Sequence, residues 1–199
     1  MNPAVGRPRR SGADDAILRA GRELMTEHGH AGFSMDEVAR RAGVGRQSVY
    51  RRWPSKSALV VAAMTSAGTD AEVFADTGSF AGDLRCGLEA MRALYHASSA
   101  ELFADVYFAM AGDPIARDMF NEHHVQPRRR SLARAISRAI ERGELVPDTD
   151  VSTVIDLASG PFLYRRLIAA DDLRDSLIEA IVDAVMLLYG AHRTSGVVN

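Results

Sequence analysis

The chain has 199 residues, 47% of them hydrophobic, which is enough for one large domain or two small ones with a real core. It contains no run of eighteen apolar residues and begins without an apolar segment, so the sequence supports neither a membrane span nor a signal peptide. The single cysteine, Cys86, excludes an internal disulfide and a cysteine-rich zinc site, and we therefore expect the protein in the cytoplasm.

The formal net charge of −2 is distributed unevenly along the chain. Residues 1–64 hold 11 Arg and Lys against 6 Asp and Glu, whereas residues 65–199 hold 13 against 20. A basic N-terminal third on an otherwise acidic chain is typical of a nucleic-acid-binding module joined to a part that does not bind nucleic acid.

Residues 1–12 contain three arginines, two prolines and two glycines. This composition predicts a flexible basic arm, which either follows DNA phosphates or the minor groove or is only a solvated tail. The spacing of Ile17, Ala20 and Leu24 then predicts a helix over 13–28, and Gly29 is expected to end it.

The next stretch has the pattern of the first half of a helix-turn-helix motif. Ser34 and Glu37 are spaced as a capping box at the start of a short helix. Its apolar residues follow at helical intervals as far as Ala42, where we expect the helix to end. Gly43 is suited to the left-handed backbone of the sharp turn that must follow.

A second short helix is predicted over 46–53. Val49 and Trp53, four residues apart, are expected to face inward, because helical residues at this spacing share a face. The remaining faces carry guanidinium, amide and hydroxyl groups. A core does not need such groups, but a helix that reads the DNA major groove does. Pro54 then breaks the helix, and Ser55 is expected to cap a connecting helix that begins at Lys56 and runs towards 67.

The rest of the chain has helical spacing and no convincing strand. The predicted helices cover 84–95, 102–110 after a break at 98–99, 113–142 with an irregularity near 126–127, 151–170 with a kink at Gly160-Pro161, and 173–189. The last two have broad apolar faces, which predicts that they pack on their own domain with one side and on a second copy of the chain with the other. The dimer-interface candidates are Ile155, Phe162, Ile178, Ile181 and Val185.

The segment AGVGRQSVYRRWPSKSAL at 42–59 resembles the DNA-binding part of the tetracycline-repressor (TetR) family of transcriptional regulators. Weaker similarities lie in GELVPDTD at 143–150 and GPFLYR at 160–165. The resemblance implies an all-α homodimer with a three-helix head over 13–55, which binds a palindromic operator in double-stranded DNA. It also implies a larger helical domain over 56–199, which forms a four-helix dimer seam and binds a small molecule that weakens DNA binding.

The resemblance also assigns the DNA contacts. It places Arg46, Gln47 and Ser48 at the exposed start of the reading helix, where base contacts are made, and Tyr50 and Lys56 at positions that hold phosphates. We add Ser34 at the start of the first helix, and we prefer Arg51 to Arg52 for a backbone contact. Gly45 stands where the family often has Ser, so the hydroxyl contact to a phosphate is missing there, and Trp53 stands where the family often has Phe.

The effector site is less well marked in the sequence. The candidates for an apolar pocket are Met91, Tyr95, Phe103, Tyr107, Met110, Phe120, His123 and Phe162. Each of these residues is also compatible with an ordinary core, and His96, His124 and Asp105 are further polar groups that could orient a ligand. We predict no cofactor and no metal, because the adjacent His123 and His124 point about 100° apart on a helix.

The function predicted from the sequence is a DNA-binding regulator, most simply a repressor that releases its operator when a largely apolar molecule binds. A regulator controlled by a protein partner, or by no effector, remains open. A helical enzyme is disfavoured, because the sequence offers no nucleophile with a matching base and no glycine loop for phosphate.

Overall fold

The computed structural model describes residues 8–66, 73–96, 100–169 and 171–191, and this part of the chain is helical without a strand. The predicted all-α class is therefore confirmed. The helices are α1 (Pro8–Gly32), α2 (Met35–Arg41), α3 (Arg46–Tyr50), α4 (Lys56–Thr65), α5 (Phe80–His96), α6 (Ala100–Ala111), α7 (Pro114–Phe120), α8 (Gln126–Glu141), α9 (Val151–Leu163) and α10 (Asp175–Tyr189). π-Helical segments at Asn121–Val125 and Tyr164–Ala169 follow α7 and α9.

The first helix begins earlier than the sequence predicts. α1 starts at Pro8, so residues 8–12 of the predicted flexible arm are helical. Proline is tolerated in the first turn because the backbone N–H that it lacks would have no helical partner there. The predicted interruption at Gly29 is confirmed by its φ of 60° and ψ of −171°. Residues 1–7 of the arm lie outside the described residues.

Two π-helical segments interrupt the later helices, and a kink at Gly160-Pro161 stays a prediction. The break predicted near 126–127 corresponds to the π-helical segment Asn121–Val125 just before α8. α9 runs through Pro161 and passes into a second π-helical segment three residues later. Asp113 and Asp150 cap α7 and α9 as predicted, each accepting hydrogen bonds from two backbone N–H groups of the first turn. The predicted break at 98–99 lies outside the described residues.

The chain forms two compact units, and their limits differ from the predicted domain boundary at residue 56. The first unit consists of the described residues of 1–69 and 101–125, and therefore contains α4 together with α6 and α7. The reason is that α4 is apolar on several sides: Leu59, Val60 and Val61 are all fully buried. α4 packs against both α1 and α7, so it belongs to the core that supports the head. A functional division at residue 56 stays a prediction.

The second unit contains α5, α8, α9 and α10. Its core includes the ring pair Tyr95 and Phe162, whose centroids lie 6.0 Å apart. Asp83 is a fully buried carboxylate that accepts hydrogen bonds from Arg138 at 3.2 Å and from the Thr77 backbone N–H at 2.7 Å. The buried charge is thus paired, as burial of an ionised group requires.

The predicted dimer-interface residues stay a prediction. They are Ile155, Phe162, Ile178, Ile181 and Val185, and each is at most 6% exposed within its own unit. Helical spacing shows that a face is buried but not which surface buries it, and here the neighbouring helices of the same chain do so. The large apolar side chains exposed in this region are Tyr164, Ile168, Leu187 and Leu188, at 61, 72, 67 and 47%.

None of the described helices is long and apolar enough to cross a membrane.

Candidate nucleic-acid interface

The first helix of the motif is capped by Ser34. Its backbone is extended, and its hydroxyl accepts from the Glu37 N–H at 3.5 Å. The predicted return contact of the capping box is replaced by ion pairs, because the Glu37 carboxylate accepts from Arg40 at 2.7 and 2.6 Å and from Arg41 at 3.0 Å. These hydrogen bonds, from Arg40 first and Arg41 second, lower the pKa of Glu37 to about 2. The carboxylate therefore stays ionised and braces α2.

The turn after α2 fixes the direction in which the chain leaves it. Gly43 has a φ of 67°, and its N–H donates to the Arg40 carbonyl at 3.3 Å. The Val44 N–H donates to the Ala39 carbonyl at 3.0 Å. The two hydrogen bonds form a Schellman motif, which satisfies carbonyls at the helix end and requires the left-handed residue that the sequence supplies.

α3 is held by the two inward residues that the sequence predicts. Val49 is fully buried and Trp53 is 6% exposed, within the same core as α1, α2 and α4. The helix itself ends at Tyr50, three residues earlier than predicted, because Pro54 closes the segment. Hydrogen bonds of the helical kind still continue, since the Trp53 N–H donates to the Val49 carbonyl at 2.9 Å.

The side chains predicted to read DNA surround this buried pair. Arg46 and Gln47 are exposed at the start of α3, and the Arg46 side chain is 68% accessible. Tyr50 is 47% exposed. Arg51 is also exposed and follows the helix, and Lys56 is partly buried at the first residue of α4. Ser34 is exposed at the start of α2.

Arg52 and Ser48 are already engaged with the protein. The Arg52 side chain is only 19% exposed and forms an ion pair with Asp14 of α1. Its Nη1 donates to the Ser48 carbonyl at 2.8 Å and to the Ser48 hydroxyl at 2.6 Å. Arg52 therefore ties α3 to α1, which agrees with the sequence-based preference for Arg51 as the backbone contact. A base contact from Ser48 stays a prediction, made by a hydroxyl that already accepts one hydrogen bond.

Two acidic partners of this surface were missed in the sequence. Asp14 pairs with Arg52, and Asp36 of α2 pairs with Arg46 of α3. Asp36 and Arg46 line an open depression of about 480 Å³ between the two helices of the motif. Sequence spacing gave no signal for either pair, because Arg46 follows Asp36 by ten positions that include a turn, and Arg52 follows Asp14 by 38 positions.

Polar contacts tie the base of the head to α6 and α7 within the first unit. Ser55 caps α4 by accepting from the Ala58 N–H at 3.0 Å, and its hydroxyl donates to Asp113, the cap of α7. This hydrogen bond lowers the pKa of Asp113. Asp105 of α6 accepts from the His30 N–H at 2.8 Å. We call these two contacts the cap latch. Burial lowers the pKa of His30, and the charge of Lys56 lowers it further.

The pocket candidates divide between the two units. Phe103, Tyr107, Met110, Phe120 and His123 lie in the first, and Met91, Tyr95 and Phe162 lie in the second. Within the first unit the rings of Tyr107 and Phe120 lie 6.0 Å apart, and Phe120 stacks on His124 at 4.6 Å. His123 is exposed on the π-helical segment.

In the described ranges, no three His, Cys, Asp or Glu side chains are grouped so that they could hold a metal ion.

The fold and this surface define a class of protein: a helical regulator that binds DNA through a helix-turn-helix. Residues 17–63 match the family described as bacterial regulatory proteins of the tetR family, and residues 74–185 match the tetracyclin repressor-like C-terminal domain. The chain belongs to the TetR family of transcriptional regulators. It is a DNA-binding regulator and not an enzyme.

Relatives and solved structures agree with this assignment. The HTH-type transcriptional regulator YdeS of Bacillus subtilis is 30% identical over 182 residues, which cover 92% of either chain. The DNA-binding transcriptional repressor TetR of Mycobacteroides abscessus is 33% identical over 175 residues, which cover 87% of this chain and 91% of that protein. The crystal structure of the TetR-family regulator SCO0332 matches with a TM-score of 0.74 and 27% identity, over 87% of this chain and 96% of that one.

The structure predicts different salt dependences for two neighbouring arginines. Each phosphate neutralised by an arginine contributes about −0.9 to the slope of log affinity against log salt concentration. We expect Arg51→Met to reduce the steepness of this slope by about that amount. Arg52→Met is expected to lower operator affinity by up to about tenfold, through lost positioning of α3, without changing the slope. Fluorescence anisotropy at several salt concentrations measures both, and an equal loss of slope in both variants would contradict the positioning role of Arg52.

Proposed function

We propose that the protein is a repressor that binds a palindromic operator as a homodimer in the cytoplasm and releases it when a small, largely apolar molecule binds. The observation that carries this proposal is the arrangement of α3, in which Val49 and Trp53 are buried while Arg46 and Gln47 are exposed. A helix held in this way presents its N-terminal side chains to the major groove.

The DNA contacts divide by chemistry. Arg46 and Gln47 are the base readers, because a guanidinium pairs with guanine and an amide with adenine through two hydrogen bonds each. Tyr50, Arg51 and Lys56 contact phosphates, which fix the register of the protein on the duplex. Ser34 joins this second group, since it is exposed at the start of α2, the helix that supports α3.

Repression is supported by a relative. The Mycobacteroides abscessus protein, 33% identical over 87% of this chain, is a DNA-binding transcriptional repressor. A repressor of this size blocks transcription by occupying DNA, and its control then requires only that DNA affinity fall when an effector binds. By linkage, the effector must bind the DNA-free conformation more tightly than the DNA-bound one.

Dimerisation is supported by the apolar surface at the end of the second unit. Tyr164, Ile168, Leu187 and Leu188 are exposed on the segment after α9 and on the last turns of α10. Ser159 and the exposed Gly160 leave little bulk on α9 before this patch, which allows close approach of a second helix. A homodimer that binds a palindromic operator needs its two reading helices on half-sites about 34 Å apart, one turn of DNA.

The cap latch supports a route from effector to DNA. A ligand near the rings of Tyr107 and Phe120 would shift α6 or α7. Asp105 and Asp113 on these helices hold the end of α1 and the start of α4, so the head would move with them. In a dimer, such a movement changes the spacing between the two copies of α3. The alternative is a regulator that answers to a protein partner or to no effector.

Substitutions distinguish the residues that contact bases from those that contact phosphates. We expect Gln47→Ala to change the order of preference among operator variants, whereas Tyr50→Ala and Lys56→Ala weaken binding to operator and scrambled duplexes by the same factor. Loss of a bidentate base contact costs about 1–3 kcal/mol of discrimination, which is roughly 5- to 150-fold. Anisotropy titrations against both kinds of duplex measure this, and an unchanged operator preference in Gln47→Ala would refute the assignment.

The dimer surface is tested by a charge placed on it. Leu187→Glu is expected to raise the dimer dissociation constant at least tenfold without lowering the melting temperature of the monomer, because the side chain is 67% exposed within its own chain. Phe108→Glu, at 76% exposure in the first unit, is the matched control and should leave the dimer intact. Sedimentation velocity measures both, and unchanged dimerisation of Leu187→Glu would contradict this surface.

The latch is tested with a compound from a thermal-shift screen of apolar molecules. We expect a compound that stabilises the protein to weaken operator binding about 5- to 150-fold, the usual range of such coupling. Asp113→Asn retains a helix-capping group but loses the charge that holds Ser55, and should bind the compound normally while releasing DNA less. Compounds that stabilise the protein without releasing DNA would favour the regulator that has no effector.

A further inference from the structure

We propose that Asp36 is a specificity-determining residue that acts by positioning Arg46 for base reading. This inference rests on the proposed base contact of Arg46. It goes beyond it by assigning a role in sequence discrimination to an acidic side chain on the supporting helix, which does not itself contact DNA bases.

The ion pair joins the two helices of the motif at their exposed edge. Asp36 lies in the first turn of α2, and Arg46 is the first residue of α3. The Oδ2 atom of Asp36 pairs with Nη2 of Arg46. Their side chains are 40% and 68% exposed, so the pair lies at the protein surface and not in the core.

The pairing leaves most of the guanidinium available. Across the residues that the structure describes, Asp36 is the one ion partner of Arg46, whose side chain stays 68% exposed. Two parallel N–H donors are what guanine accepts through O6 and N7 in the major groove. Asp36 therefore restrains the side chain while leaving it able to form a bidentate base contact.

The neighbouring carboxylate shows what a purely structural role would look like. Glu37 is bound by Arg40 and Arg41, both on α2, and Arg41 also pairs with Glu27 of α1, so this network braces α2 and makes no contact with α3. Asp36 reaches instead across the turn to the reading helix. Glu37 is thus a matched control for the removal of one negative charge from the same helical turn.

The restraint has opposite effects on operator and on other DNA. A free arginine side chain loses rotamer freedom when it is fixed against a base, and Asp36 imposes part of that loss before DNA arrives. Binding to the correct base is therefore favoured. On DNA without the matching base, the carboxylate competes with phosphate for the guanidinium, so non-specific binding is disfavoured.

The experiment is a double-mutant cycle with the full-length chain. The specific probe is a duplex enriched from a randomised pool by binding to the wild-type protein, and the non-specific probe is its scrambled sequence. Asp36→Asn is expected to weaken binding to the enriched duplex by about 2- to 10-fold, the equivalent of one arginine losing its preorganisation. The same change should leave binding to the scrambled duplex unchanged or tighten it.

The cycle with Arg46→Gln decides the mechanism. In the Arg46→Gln background, Asp36→Asn is expected to change affinity for the enriched duplex by less than about twofold, because there is no guanidinium to position. Glu37→Gln should show no such coupling to Arg46→Gln. Melting temperatures of all variants separate these effects from loss of folding.

Two results would overturn the inference, and they are distinguishable. An equal effect of Asp36→Asn in both backgrounds, or tighter binding to both duplexes, means that Asp36 acts only through its charge. If Arg46→Gln leaves the preference for the enriched duplex unchanged, the proposed base contact of Arg46 fails, and the positioning role fails with it.

Discussion

The structure of the DNA-binding surface depends on the burial of Val49 and Trp53. These two side chains lie four residues apart on a short segment and enter the same core as α1, α2 and α4. A helix of five residues has little stability of its own, so its orientation comes from this packing and from the left-handed turn at Gly43. Because Val49 and Trp53 fix the inward face, Arg46 and Gln47 face solvent.

Packing fixes the orientation of α3, and two ion pairs then restrain the arginines of the motif. Asp14 withdraws Arg52 from the surface, and Asp36 restrains Arg46 at the edge of the motif. Two carboxylates thus give different roles to two arginines in a strongly basic segment. The number of basic residues near α3 therefore overstates the number of DNA contacts. The hydrogen bond from Ser55 to Asp113 joins the caps of α4 and α7.

The sequence predicted those features that are encoded locally. The caps at Ser34, Asp113 and Asp150 and the turn at Gly43 depend on the chemistry of a few adjacent residues, and the structure confirms them. Features that depend on packing between distant segments were missed. Spacing marked the apolar faces of α9 and α10 correctly but could not show that their own unit covers them. The partner of Arg52 is 38 residues away, and no local pattern indicates it.

The central claim is that α3 reads bases through Arg46 and Gln47, while Arg52 ties α3 to α1. The most direct measurement is a crystal structure of the protein bound to an enriched operator duplex. The account predicts donor–acceptor distances of about 2.7–3.2 Å from Arg46 and Gln47 to base edges in the major groove, with Arg52 still paired to Asp14. Arg52 released from Asp14 and bound to a base, or α3 lying outside the major groove, would contradict it.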